Sequence, residues 1–305
     1  MIETRYSVEL QGYSLSGAPP QNLAPQDHAA ATRLADALVA SLYELAGELR
    51  GMGPAAHELM RVRQNVSLRA RLEGVARAVQ TLQADLAALR GAVLVKQLDA
   101  LGIHGRSTEL KVHIGCGGHE LPGWINIDNH PAPLAINLDW GLPLPDRSAR
   151  YVFVSHLLEH LFHPGQAGHL LAEIRRVLMP GGIARIVVPD IEQCVRAYVA
   201  GDETFFADRR RHWTWLPEDM THLESFLAYA GAGPWPDHLF EHHKFGYDFV
   251  TLKRCLERAG FASVRRCAYQ QSPHEELRVD HASSNASAKT GEQHYSLFVE
   301  AHVTP

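Results

Sequence analysis

The sequence predicts an α/β protein built on a Rossmann-like, mostly parallel sheet. Three observations predict it. The apolar runs at 112–114, 124–127, 151–154 and 183–188 are short and nearly continuous, as strands buried on both faces are. Helical or turn-rich stretches separate them, the alternation that gives a parallel sheet covered by helices. The first run opens onto Gly115, Gly117 and Gly118, and the second ends in Asp128. Glycines let a backbone pass close under a ligand, and a carboxylate at that strand tip can accept both hydroxyls of a ribose.

The chain has 305 residues, a net charge of −5 and 46% hydrophobic residues. That is enough for one large domain and an appendage. The slightly acidic balance leaves no electrostatic footprint for nucleic acid. Cys116, Cys194, Cys255 and Cys267 show no CxxC pairing, which argues against a structural zinc site or a disulfide framework and suits a reducing cytoplasm. No apolar run approaches the ~20 residues that span a bilayer. The first residues lack a charged start followed by an apolar core, so they do not read as a secretory signal. The expected location is cytoplasmic.

Residues 1–25 read as an extended arm: Tyr6, Val8 and Leu10 alternate with polar neighbours, and Pro19, Pro20 and Pro25 break the chain. Residues 26–104 read as a helical hairpin or coiled coil. Asp27 is a candidate N-cap for a helix carrying Leu34, Leu38, Leu42, Leu45 and Leu49, stopped by Gly51-Met52-Gly53-Pro54. Leu68, Leu72, Val75, Val79, Leu82, Leu86, Leu89 and Val93 then alternate steps of four and three. Such a heptad seam over 68–93 either packs within the chain or joins two copies into a homo-oligomer.

From 105 onward the α/β domain begins. Only His119 to Gly123 lie between the glycine turn and the second strand, interrupted by Pro122-Gly123. A crossover helix needs a connection of a dozen or more residues, so none fits. Without a helix N-terminus there is no ready grip for a pyrophosphate. A ligand with a ribose and no pyrophosphate fits better, and S-adenosylmethionine (SAM) is such a ligand. A third apolar stretch at 134–138 ends in Asp139, and Gly141, Pro143, Pro145 and Asp146 form a turn-rich loop. The strand at 151–154 runs into Ser155-His156-Leu157-Leu158-Glu159-His160-Leu161. A helix carries Leu170, Leu171, Ile174, Val177 and Leu178 on one face, stops at Met179-Pro180-Gly181-Gly182, and leads to the strand at 183–188.

Three blocks in order, HIGCGG…WINID, LDWGLPLPDRSARYVFVSHLLEHL and EIRRVLMPGGIARIVVPD, resemble the class I SAM-dependent methyltransferases, in the branch that includes many small-molecule methyltransferases (type 11-like). FVTLKRCLERAGFASVRR resembles that family's last helix and sixth strand, and 294–302 its seventh. The resemblance implies a seven-stranded, mostly parallel sheet with an antiparallel last strand. It implies that Gly115, Cys116 and Gly117 line the methionine end of SAM, that Asp128 holds the ribose, and that Asp139 or the backbone of Trp140 and Gly141 meets the adenine. Ser155 and His156 would face the sulfonium and a small-molecule acceptor. The short connection before Trp124 departs from the usual fold.

A hydroxyl acceptor must lose a proton, a task matched to the intrinsic pKa of histidine. His156 is the first choice as base by position, with His242 and His243 as rivals. Cys116 reads as a packing residue, since no base stands at a recognisable spacing. No metal site is assigned. His156 and His160 stand four apart and so share a helix face, where they could bind a metal, but no third ligand is marked. Asp237, His238, Glu241, His242, His243 and Asp248 form a second grouping, of a kind that more often lies on a solvated face.

Residues 201–248 carry Phe205, Phe206, Trp213, Trp215, Phe226, Tyr229, Trp235, Phe240, Phe245 and Tyr247. They read either as an acceptor cap with ring faces for a sugar or as a helical insertion with its own core. The polar stretch 270–293 reads as a long mobile connection. The leading function is a methyltransferase acting on a hydroxyl of a sugar or other small molecule. The alternative is a non-catalytic SAM-fold protein that recruits a partner through its N-terminal helices.

Overall fold

The computed structural model describes residues 8–10, 13–15 and 94–305, less 130–131, 214–216, 218, 232–241 and 281–285. The chain divides into two compact units, Met1–Lys96 and Gln97–Pro305. In the first, β1 (Val8–Leu10) pairs antiparallel with β2 (Tyr13–Leu15), so the expected arm contains a small hairpin. The helical appendage with its 68–93 seam lies outside the described residues, apart from helical residues at 94–100. The oligomer and the partner-recruiting role rest on that seam and stay expectations.

The second unit holds a seven-stranded sheet. Its strands are β3 (Leu110–Ile114), β4 (Ile125–Asp128), β5 (Leu134–Ala135), β6 (Ala149–Ser155), β7 (Leu178–Pro189), β8 (Ser263–Cys267) and β11 (Ser296–His302). The order is β5-β4-β3-β6-β7-β11-β8. The pairs β3–β4, β3–β6, β4–β5 and β6–β7 are parallel, and β11 runs antiparallel to both β7 and β8. A separate short pair joins β9 (Lys289–Thr290) to β10 (Gln293–His294). Val112, Ile114, Ile127, Val152, Phe153, Ile186 and Val187 are buried at the sheet centre, which is why these runs lack polar alternation.

α1 (Gly165–Val177) crosses between β6 and β7 and buries Ala167, Leu170, Leu171, Ile174 and Val177, the predicted stripe. α5 (Phe249–Arg258) buries Leu252 and Leu256. Between β7 and α5 lie α2 (Ile191–Ala200), α3 (Glu203–His212) and α4 (His222–Ala230). Phe205, Phe206, Trp213 and Tyr229 form a core of their own there, with Cys194 and Tyr295. The described rings of the 201–248 segment thus follow the helical-insertion reading: those four are packing residues, not open faces. Arg209 is buried among them, its guanidinium 3.7 Å from the Tyr229 ring centroid.

Three expectations need correction. The third apolar stretch forms strand only at Leu134–Ala135, because Asn137 caps a 3-10 turn at Leu138–Trp140 through the Asp139 N–H. The Met179-Pro180-Gly181-Gly182 piece is already part of β7, whose pairing with β6 is irregular there. A Cβ on Gly182 would stand 2.8 Å from the Met179 carbonyl oxygen, so this turn demands glycine.

The third correction concerns 270–293. Among its described residues Leu277, Asp280 and Ala286 are fully buried. Arg185, buried in the middle of β7, supplies the anchor. Its Nε and Nη2 donate to Asp280 at 2.7 and 2.6 Å, and Nη1 donates to Glu300 at 3.0 Å. The remaining N–H groups reach the carbonyls of Gln271 and Ala268. All five donors of the guanidinium are used, as a buried charge requires. Removing one partner leaves buried charge uncompensated, so Asp280→Ala is expected to lower stability by about 3–5 kcal/mol. Urea denaturation followed by tryptophan fluorescence measures it; a loss within error of zero would show that Arg185 does not hold the connection down.

Candidate active site

The carboxyl ends of β4, β3 and β6 are neighbours, so the glycine turn, Asp128 and Ser155-His156 come together at one sheet edge. Open α/β folds bind ligands at this edge. The expected absence of a crossover helix holds: 115–124 is turns. Asn126, buried on β4, substitutes for it. Its Oδ1 accepts from the Leu121 N–H at 2.9 Å, and its Nδ2 donates to the carbonyls of Leu121 at 3.0 Å and Trp124 at 3.2 Å. His113, below it, has Nδ1 3.2 Å from the same Oδ1. Burial pushes the His113 imidazole down to about 4.

Gly115 has φ +74° and Gly117 φ +51°, the left-handed region that glycine enters without steric cost. A Cβ on Gly115 would meet the Leu157 side chain at 2.9 Å, whereas nothing stands within 4 Å of the Cβ direction at Gly117. The turn is therefore tight beneath and open above. The N–H of Gly117 donates to Asp128 Oδ2 at 2.8 Å and that of Asn129 to Oδ1 at 2.6 Å. Each oxygen keeps further acceptor capacity toward the cleft. Cys116 is buried, and burial raises its thiol to about 11, so it packs rather than attacks.

Asp139 and the Trp140 backbone sit in the 3-10 turn after β5. Gln166 on α1 donates from Nε2 to both Asp139 oxygens, at 2.8 and 2.9 Å. That engagement takes up part of the carboxylate expected to meet an adenine. The neighbouring backbone remains as a second contact.

The stretch after β6 is not helical through His156, contrary to expectation. His156 has φ +51°, a left-handed conformation costing of order 1–3 kcal/mol for a non-glycine residue. Only Leu158–His160 forms a 3-10 turn. His156 and His160 therefore do not share a helix face, and each meets a different partner. His156 Nδ1 lies 3.2 Å from Glu159 Oε1, and its Nε2 lies 3.0 Å from the Ser296 hydroxyl on β11. His160 meets His243 edge-on, with centroids 4.8 Å apart.

Glu159 is 1% exposed. Burial alone would raise its pKa, but His156 together with His160 and His243 outweighs that and holds the carboxyl near 2. Its backbone carbonyl accepts from Lys244 and Phe245 N–H at 2.6 and 3.2 Å, which draws 242–245 against the 3-10 turn. His243 Nδ1 lies 2.8 Å from the Tyr229 carbonyl, and burial pushes this imidazole down to about 4. A base that weak is a poor proton acceptor at neutral pH, which disfavours it against His156. His242 is half-buried beside it. Asp237, His238 and Glu241 lie outside the described residues.

Sequence reasoning missed Glu159 and Ser296. Glu159 had a signal, an acid three positions after the candidate base in a stretch that had to turn. Ser296 had none, since strand pairing alone brings it to His156. Beside Ser296 a cleft of ≈ 290 Å³ opens over β7, β11 and β8, lined by Asp190, Arg266, Tyr269, His294 and Phe298.

Residues 129–186 match the family described as "Methyltransferase domain". The match thus places a methyltransferase-domain signature within the second unit. The family match covers β5, β6, α1 and the start of β7, the part that carries Asp139, Ser155, His156 and Glu159. Among solved structures, a SAM-dependent methyltransferase from Archaeoglobus fulgidus is 16% identical over 70% of this chain and 94% of its own, with a TM-score of 0.35. One from Mesorhizobium loti is 17% identical over 70% and 97%, at 0.35. The Burkholderia thailandensis 1,6-didemethyltoxoflavin-N1-methyltransferase is 14% identical over 99% of both chains, at 0.34. Overlaps of that order carry no argument about function. No curated protein matches the chain. No helix among the described residues is long and apolar enough to cross a membrane.

One pH dependence follows. His113 is neutral when folded and titrates near 4, against 6.5 when free. Between those values the unfolded chain binds more protons, so stability rises with pH across that window. His113→Phe is expected to flatten the slope of unfolding free energy between pH 4 and 6.5. An unchanged slope would show that His113 does not supply it.

Proposed function

We propose that this methyltransferase acts on a hydroxyl oxygen of a small molecule, with His156 as the base. The observation that carries the reading is the arrangement around that one imidazole. Glu159 stands at Nδ1 and the Ser296 hydroxyl at Nε2, on a strained residue at the carboxyl edge, next to the glycine turn. A buried carboxylate at Nδ1 fixes the tautomer and stabilises the imidazolium that forms on proton uptake. Nε2 is then the accepting nitrogen, and Ser296 stands between it and the cleft.

The residues present fit SAM. The open backbone at Gly117 leaves room where a Cβ would intrude, and Asp128 keeps acceptor capacity for two ribose hydroxyls. When bound, SAM supplies a methyl group already activated by a sulfonium. What remains for the protein is to align an acceptor, exclude water and take one proton. The cleft beside Ser296 approaches the lower limit for small-molecule sites and is lined by charged and polar groups as well as rings. Among the described rings, Phe205, Phe206, Trp213 and Tyr229 are in the core of the helical insertion, so the reading stops at a hydroxyl of a small molecule.

Two measurements test this. Asp128→Ala is expected to weaken SAM binding by about 1–3 kcal/mol in calorimetry, as a charged acceptor is lost; unchanged affinity would remove Asp128 from the site. His156→Ala is expected to lower turnover of labelled SAM by roughly 10²–10⁴-fold on a hydroxyl acceptor, the usual share of a general base, with SAM affinity nearly unchanged. A drop confined to SAM affinity would make His156 a cofactor-positioning residue.

A further inference from the structure

The geometry points to a divalent transition-metal site made by Glu159, His160 and His243, beside the base. One ligand atom from each of the three lies within 4.8 Å of the others. Glu159 is 1% exposed, and neither of its carboxylate oxygens has a hydrogen-bond partner, Oε1 making only the 3.2 Å contact with His156 Nδ1. An unpaired buried carboxylate oxygen is costly unless something cationic meets it. The Oε1 contact to His156 leaves Oε2 for this purpose.

His243 is set up as a ligand. Its Nδ1 sits 2.8 Å from the Tyr229 carbonyl, so that nitrogen carries the proton and Nε2 holds the free lone pair. Metal-binding histidines are held this way, with the second ring nitrogen donating to a carbonyl or carboxylate. The Lys244 and Phe245 N–H bonds to the Glu159 carbonyl fix the segment that delivers His243.

Two imidazoles and a carboxylate suit Zn²⁺ or Mn²⁺ rather than a hard ion alone. Ligand-to-metal distances near ~2.1 Å require the three side chains to draw in slightly. His160 and His243 are half-buried, and three protein ligands leave a coordination position for a further oxygen. An acceptor oxygen placed there would lose its proton more readily. That role rests on the methyltransferase reading; the site itself does not.

The test uses the untagged full-length chain, stripped with a chelator and titrated with ZnCl₂ and with MnCl₂. Calorimetry, and electron paramagnetic resonance for Mn²⁺, are expected to show one saturable ion per chain. His243→Ala and Glu159→Gln are each expected to weaken it at least 100-fold, while His222→Ala binds as the parent chain does. SAM titration of His243→Ala in the same instrument reports that the variant is folded. Absence of saturable binding, or parent-like affinity in a folded His243→Ala, would overturn the site. Loss of SAM binding with ion binding intact would instead overturn the methyltransferase reading.

Discussion

The architecture of the site depends on one constraint, the shortness of the connection between β3 and β4. A parallel pair joined by so few residues cannot bury its link under a helix. The link's backbone groups must be satisfied some other way. Buried Asn126 does this from within β4, accepting from and donating to Leu121 and donating to the carbonyl of Trp124. Because the link is pinned, Asp128 at the next turn of the same strand is held where Gly117 can donate to it. The glycine turn and the acid are thus one unit.

A second layer of the site is set by the strand order. β6 lies beside β3, so His156 follows directly next to the glycine turn, and Leu157 fills the place that a Cβ on Gly115 would take. β7 separates β6 from β11, yet Ser296 at the start of β11 still reaches His156 Nε2. Glu159 is central to both sides. Its carboxylate faces His156, and its backbone carbonyl holds the segment that carries His243. The strained backbone of His156 is maintained because this packing over-determines it.

The helical insertion and the 270–293 connection show how a polar or aromatic stretch can mislead. The rings at Phe205, Phe206, Trp213 and Tyr229 are abundant enough to suggest a binding face, but they close on one another and on Arg209. The connection is polar enough to suggest mobility, but its Asp280 is one of the partners that a buried Arg185 needs. Composition reports what a segment carries; it does not report which distant charge awaits it.

The sequence by itself determined the α/β class, the strands around the centre, the crossover helix stripe, the helix-free glycine turn and the acid after it. These are set by local rules: hydrophobic period, glycine conformational freedom and the length a crossover needs. Only the tertiary structure decided the surroundings of His156. The left-handed turn there breaks the helical spacing that local pattern suggested, and Ser296 and His243 arrive from far along the chain through strand pairing and backbone docking. Contacts between residues so distant in sequence leave no periodic trace, because what brings them together is the burial of the elements that carry them.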